Sequence, residues 1–242
     1  LGERQSIRRD NAYTRRLERE VGDQRHVAER LREALVDAVS ANPPKVSRID
    51  KPPRASNPLP TECETVAFVS DVHFGALIDA AEVPGGGYDW TIAARRMGLF
   101  TSQIASYKPH HRERSTLRLL LGGDIIEGEI HGRGPHLDAL AMQVDGARQI
   151  ITSMIDRLRH EYAAIEVVGA TGNHDRWAHR EGRAVTQKWD GIATTIYRGA
   201  QAIFRDCDDV RFSIPRTPYT TWKAPGGVYC ALTHADTVFN AG

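Results

Sequence analysis

The sequence predicts an α/β fold in layers, and three observations predict it. Short apolar runs at residues 65–70, 116–121 and 165–168 each pass into a loop of Asp, His or Asn, and then into a segment with helical apolar spacing. That alternation belongs to parallel strands joined by helical crossovers. Residues 210–214, 219–223 and 228–233 read as strands with no helix between them, so an antiparallel finish follows the parallel start and the sheets are mixed. Finally, chemistry-bearing side chains gather just after strands: Asp71 and His73, Asp124, the turn Gly172-Asn173-His174-Asp175, and His234. Ligands of open α/β sheets collect beyond the carboxyl ends of the strands, so four strand ends are expected to meet at one site.

Residues 1–42 are expected to form a charged helix ahead of the layered domain. Leu17, Val21, Gln24, Ala28, Leu31, Leu35 and Ala38 step alternately by four and three, a heptad seam with arginines and acids interleaved around it. Three readings stay open for it: a helix docked on its own domain, a homodimerising coiled coil, or an arm touching phosphates. Residues 43–61 are rich in proline and nearly free of apolar side chains, a semi-rigid linker. The remaining domain, residues 62–242, opens with a buried parallel strand. Its helices carry the apolar faces Ala93, Met97, Phe100 and Ile104; Leu140, Val144, Ile151, Ile155 and Leu158; and Ile192, Ile196 and Ile203. Met142 and Met154 are expected in the core. Gly85-Gly86-Gly87 has no following Lys-Ser/Thr and does not directly follow a strand, so it reads as a surface loop and not a phosphate cradle.

Composition narrows the function classes. With 32 basic against 31 acidic residues there is no global field to draw in nucleic acid or membrane, and any basic surface must be local. Cys63, Cys207 and Cys230 are odd in number and lack metal-like spacing, which points to reduced core thiols and a cytoplasmic protein. No apolar run approaches the roughly 20 residues that span a bilayer, and no signal-peptide stretch leads the chain. A first residue of Leu1 implies a piece of a longer product.

The residues then argue for metal chemistry. Asp71 and His73 stand at i and i+2, so in extended chain both side chains point to one side, where they can hold one cation. Carboxylate with imidazole suits Mn, Fe, Zn or Ni better than Ca or Mg. Asp124 offers two oxygens able to bridge cations, Asn173 an amide oxygen and His234 another imidazole. Two cations about 3.5 to 4 Å apart would polarise a phosphoryl group and lower the pKa of a water.

Asp71-Val72-His73, Gly123-Asp124-Ile125-Ile126-Glu127, Gly172-Asn173-His174-Asp175 and His234 together resemble the signature of the calcineurin-like metallophosphoesterases, in its order and strand context. Any one of these motifs alone is a common loop or turn. Over about residues 65–240 the resemblance implies a four-layer α/β/β/α sandwich with mixed sheets, preceded here by the N-terminal helix. It also implies two divalent metals, manganese first among them: Asp71 and His73 on one, Asn173 and His234 on the other, Asp124 bridging. His174 would protonate the leaving oxygen, with Glu127 orienting its ring and Asp175 completing the catalytic group.

Substrate follows from where the pattern departs. Phosphoprotein phosphatases of this family carry arginines where this chain has Gly128 and Thr171, and losing both guanidinium clamps disfavours a terminal dianionic phosphate. The chain looks closest to bacterial and phage-type members and to SbcD-like DNA exonucleases, which carry His where Glu127 stands. A phosphodiesterase or nuclease acting on DNA is the expectation, with His131, Arg133, Arg176 and Arg180 as substrate contacts. Hydrolysis of nucleotides or small phosphoesters, or a catalytically weak binding module, are the alternatives. The family's closing Gly-His-x-His is absent before Gly242, so the chain is expected to continue beyond it to supply one imidazole to each metal.

Overall fold

A computed structural model of the chain describes residues 64–107, 116–130, 138–177, 188–214 and 216–237. The predicted N-terminal helix and linker, with Cys63, lie outside the described residues. Four strands, β1 (Thr65–Val69), β2 (Thr116–Leu121), β3 (Ala164–Gly169) and β4 (Val210–Ser213), alternate with three helices, α1 (Trp90–Ser106), α2 (Leu140–Arg159) and α3 (Ile192–Ile203). The strands pair in the order β1-β2-β3-β4, all parallel. Right-handed crossovers between successive neighbours put all three helices on one face of such a sheet, and α2 does lie between α1 and α3. No helix among the described residues is long and apolar enough to cross a membrane.

The two strands β5 (Tyr219–Lys223) and β6 (Tyr229–Thr233) form a separate antiparallel pair. Direction therefore changes between the sheets and not within either. Consecutive residues of β2 show the layering. Leu121, with Val69, lines a small apolar cavity shared with Met97 of α1 and Ala147 and Ile151 of α2, while Leu120 and Val168 pack with Leu232 and Trp222 of the pair. Opposite faces for neighbours i and i+1 are what a pleated strand dictates. A polar clip reinforces the contact: Arg118 reaches Glu64 at 2.9 Å and Glu166 at 2.7 Å. Its guanidinium stacks on Trp222, whose indole N–H donates to Glu64 at 3.1 Å.

Several expectations are corrected by position in the layers. β1 is the first strand of the sheet among the described residues, and it is buried on one face only: Ala67 and Val69 are buried while Val66 and Phe68, on the opposite face, are 49% and 54% exposed where a buried strand was expected. Met142 is exposed, because the buried stripe of α2 runs through Gln143, Ala147 and Ile151, while Met154 is buried. On α1 the buried residues are Ala93, Met97, Thr101 and Ala105, with Phe100 and Ile104 at the margin. Cys207 and Cys230 are half-buried free thiols, not core residues.

Candidate metal centre

The three parallel strands β1, β2 and β3 end side by side, and their loops go on pairing beyond the strands. Gly122 N donates to Val69 O at 2.7 Å, Asp71 N to Gly123 O at 3.1 Å, His73 N to Asp124 O at 3.0 Å and Ala170 N to Leu121 O at 2.8 Å. These bonds hold Asp71, His73 and Asp124 in the left-handed region, with φ of 55°, 49° and 49°. Each such residue costs about 1–2 kcal/mol. Among the described residues they are the only non-glycines at positive φ, and all three are sequence-predicted ligands. Asp71 and His73 are therefore not in the extended chain expected of them. Their side chains converge nonetheless: Nε2 of His73 lies 3.9 Å from Oδ1 of Asp71, and the ligand atoms of Asp71, His73 and Asp124 all lie within 4.8 Å of one another.

Three histidines meet here, each with Nδ1 engaged by the protein. His73 pairs with a Glu127 carboxylate oxygen at 2.8 Å, His174 with the Glu127 backbone carbonyl at 2.9 Å, and His234 with the Gly122 carbonyl at 2.9 Å. Carbonyls only accept, so His174 and His234 carry their proton on Nδ1. The Glu127 carboxylate beside His73 holds that imidazole's pKa above its ordinary value, against the pull of burial. His73 and His174 also touch edge to face, 4.6 Å between ring centres.

Two buried polar groups also face each other across the site. Nε2 of His234, 3.2 Å from Oδ2 of Asp124, is left with a lone pair by the bond at Nδ1, and both side chains are buried. Two acceptors at that distance repel unless a positive centre lies with them, and either a proton on Nε2 donated to Oδ2 or a divalent ion held by both supplies one, so this donor set accommodates a divalent ion without requiring it. The other oxygen of Asp124 accepts from His174 N at 2.9 Å. Gly172 makes this approach possible, since a Cβ there would stand 1.9 Å from Oδ1 of Asp124.

Asp175 is fully buried and works on the backbone. Its Oδ2 accepts from Asp124 N at 2.7 Å and Gly172 N at 2.8 Å, and its Oδ1 from Ile125 N at 3.1 Å and Ile126 N at 3.4 Å. It ties the loop after β2 to the turn after β3. Burial pushes its carboxyl up to about 6, against the opposing pull of these donors.

The structure thus brings Asp71, His73, Asp124, Glu127, the turn of Asn173, His174 and Asp175, and His234 to one end of the sheet. Arg176 lies beside them, its Nε 3.3 Å from Asn173 O. His131, Arg133 and Arg180, with His136 and His179, lie outside the described residues.

No family model, curated protein or solved structure matches the chain.

Two supporting residues escape sequence reading. Gln143 is fully buried, accepts from Gly128 N at 2.8 Å and donates to Asp138 O at 2.8 Å. Its one signal is a polar side chain four residues before Ala147 in the buried stripe of α2. Tyr88 donates its hydroxyl to Val72 O, between the two strained ligands, and nothing in its local sequence marks it.

Proposed function

We propose that this chain is a dinuclear metal-dependent phosphoesterase, acting on phosphodiesters and on DNA as a nuclease. The observation that carries the reading is one cluster from four loops. It combines carboxylate and imidazole side chains carried on strained backbone, a buried His234–Asp124 contact at 3.2 Å, and a third histidine, His174, with its ring fixed. In this reading Asp71, His73 and Asp124 hold one cation, and Asp124, Asn173 and His234 the other. When bound, two divalent ions, manganese foremost and Fe, Zn or Ni as alternatives, would polarise the phosphoryl oxygens and draw off negative charge. The calcineurin-like four-layer sandwich is part of the same proposal, for which helices, parallel sheet and strand pair supply three layers.

The residues of the chain have distinct tasks. With Nδ1–H fixed on the Glu127 carbonyl, His174 presents Nε2 as the atom that exchanges a proton with the leaving oxygen. To act as an acid it must carry that proton. The Glu127 carboxylate, 3.5 Å from Nδ1, balances the resulting charge. Specificity is supported by what Gly128 excludes: at φ 67°, a Cβ there would stand 2.2 Å from His174 O, so no clamping arginine can occupy the position. With no guanidinium at positions 128 and 171, a singly charged diester is the better match. A cytoplasmic setting goes with the proposal, and the free thiols Cys207 and Cys230 suit a reducing compartment.

The test is a manganese-dependent assay comparing bis-p-nitrophenyl phosphate, p-nitrophenyl phosphate, single-stranded DNA, duplex DNA and RNA. Diester and DNA cleavage is expected. Hydrolysis of the monoester alone would make the protein a small-phosphoester hydrolase, and manganese binding without turnover would make it a binding module.

A further inference from the structure

Resting on the metal reading above, we propose that Glu127 is a positioning residue for His73. It fixes the ring with Nε2 toward Asp71, and so sets the affinity of the Asp71–His73–Asp124 cation group without governing that of His234.

The distances favour His73 over His174. The carboxylate stands 2.8 Å from Nδ1 of His73 and 3.5 Å from Nδ1 of His174, whose closer partner is the Glu127 backbone carbonyl at 2.9 Å. An ionised carboxylate is acceptor-only, so the His73 proton is drawn to Nδ1 and the lone pair is left on Nε2. That is the ligand form, facing Asp71. Without the carboxylate, the ring is free to carry its proton on Nε2 and to turn, and both changes remove a donor from the cation group.

Glu127 is itself pinned, which lets it position something else. Its N–H donates to Phe74 O at 3.0 Å, and the N–H of Gly128 is held by buried Gln143. Its neighbour Ile126 bridges to Phe74. By contrast, the His234 ring is fixed by the Gly122 carbonyl, a group from another loop. One ring therefore depends on the Glu127 side chain and the other does not.

The experiment uses the whole chain. Histidine tautomers are read by long-range proton–nitrogen NMR on metal-free protein, and manganese chloride is titrated by calorimetry into wild type, Glu127→Ala and Glu127→Gln. Wild-type His73 is expected as the Nδ1–H form. Glu127→Ala should lose that form and weaken one of two manganese ions by roughly 10- to 100-fold. Glu127→Gln, whose amide oxygen still accepts the Nδ1 proton, should recover most of the loss even if the alanine protein does not fold. Wild-type His73 protonated on Nε2, equal weakening of both ions, or a glutamine variant as weak as alanine would each overturn the proposal. The NMR result needs no metal. An Nδ1–H ring in a wild-type protein that takes up no manganese would sink the metal reading and the affinity claim with it, leaving the hold of Glu127 on His73 intact. An Nε2–H ring with two manganese ions bound would do the reverse.

Discussion

Replacing Asp175 by asparagine sets burial against hydrogen bonding at one carboxyl. Burial raises its pKa from 3.8 to about 6, and the nearby Asp124 charge adds to the rise, while the N–H groups of Gly172, Asp124 and Ile126 oppose it. A carboxyl whose folded pKa lies above its unfolded value binds more protons in the native state. Its contribution to stability is fully present below the unfolded pKa and is lost as pH rises through the folded one. Between about pH 4.5 and pH 7.5 the loss covers roughly 1.5 pH units, or about 2 kcal/mol at ~1.4 kcal/mol per unit. Asparagine has no such titration, and its amide also turns a donor toward two of the N–H groups now satisfied. Wild type should therefore be the more stable protein at both pH values, with an advantage larger by about 2 kcal/mol at the acidic end. Guanidinium unfolding of both proteins in chelator, at the two pH values, measures this difference of differences. Equal pH slopes would show that the four N–H donors just offset burial and leave the carboxyl unshifted. An advantage growing with pH would show a depressed carboxyl and reverse the reasoning.

Other outcomes are open to simpler measurements. His174→Ala should lower diester turnover by about 100-fold or more while metal content, read by plasma emission, stays near wild type; parallel loss of both would remove His174 from the proton transfer. Gly172→Ala must displace Asp124, because the new Cβ would stand 1.9 Å from Oδ1, so manganese uptake should fail in calorimetry, and unchanged uptake would mean that Asp124 is not a ligand. Arg118→Met leaves the Glu64 carboxylate, 9% exposed, without its guanidinium, and urea unfolding should show a loss of about 3–5 kcal/mol. A loss under about 1 kcal/mol would mark the clip as a surface pair.

The local chain determined a good deal. Apolar runs at 65–70, 116–121 and 165–168, with helical spacing between them, specify the order of strands and helices because each element must bury one face. The site residues were legible for a related reason: Asp, His and Asn directly after a buried strand are carried to the sheet's carboxyl end by chain direction alone. What the local chain leaves open depends on partners distant in sequence. Which face of β1 is covered is decided by what packs on it, so Phe68 is exposed while Ala67 and Val69 beside it are buried, although the whole run reads as buried. The left-handed turns at Asp71, His73 and Asp124 violate local preference, and they persist because loops some fifty residues apart hold them through Gly123 O, Asp124 O and the Asp175 carboxylate. Likewise, nothing within a few residues of His73, His174 or His234 says where each ring's proton sits. That is settled by Glu127 and Gly122, brought in only when the strands pair, because a tautomer follows whichever acceptor the folded chain sets against the ring.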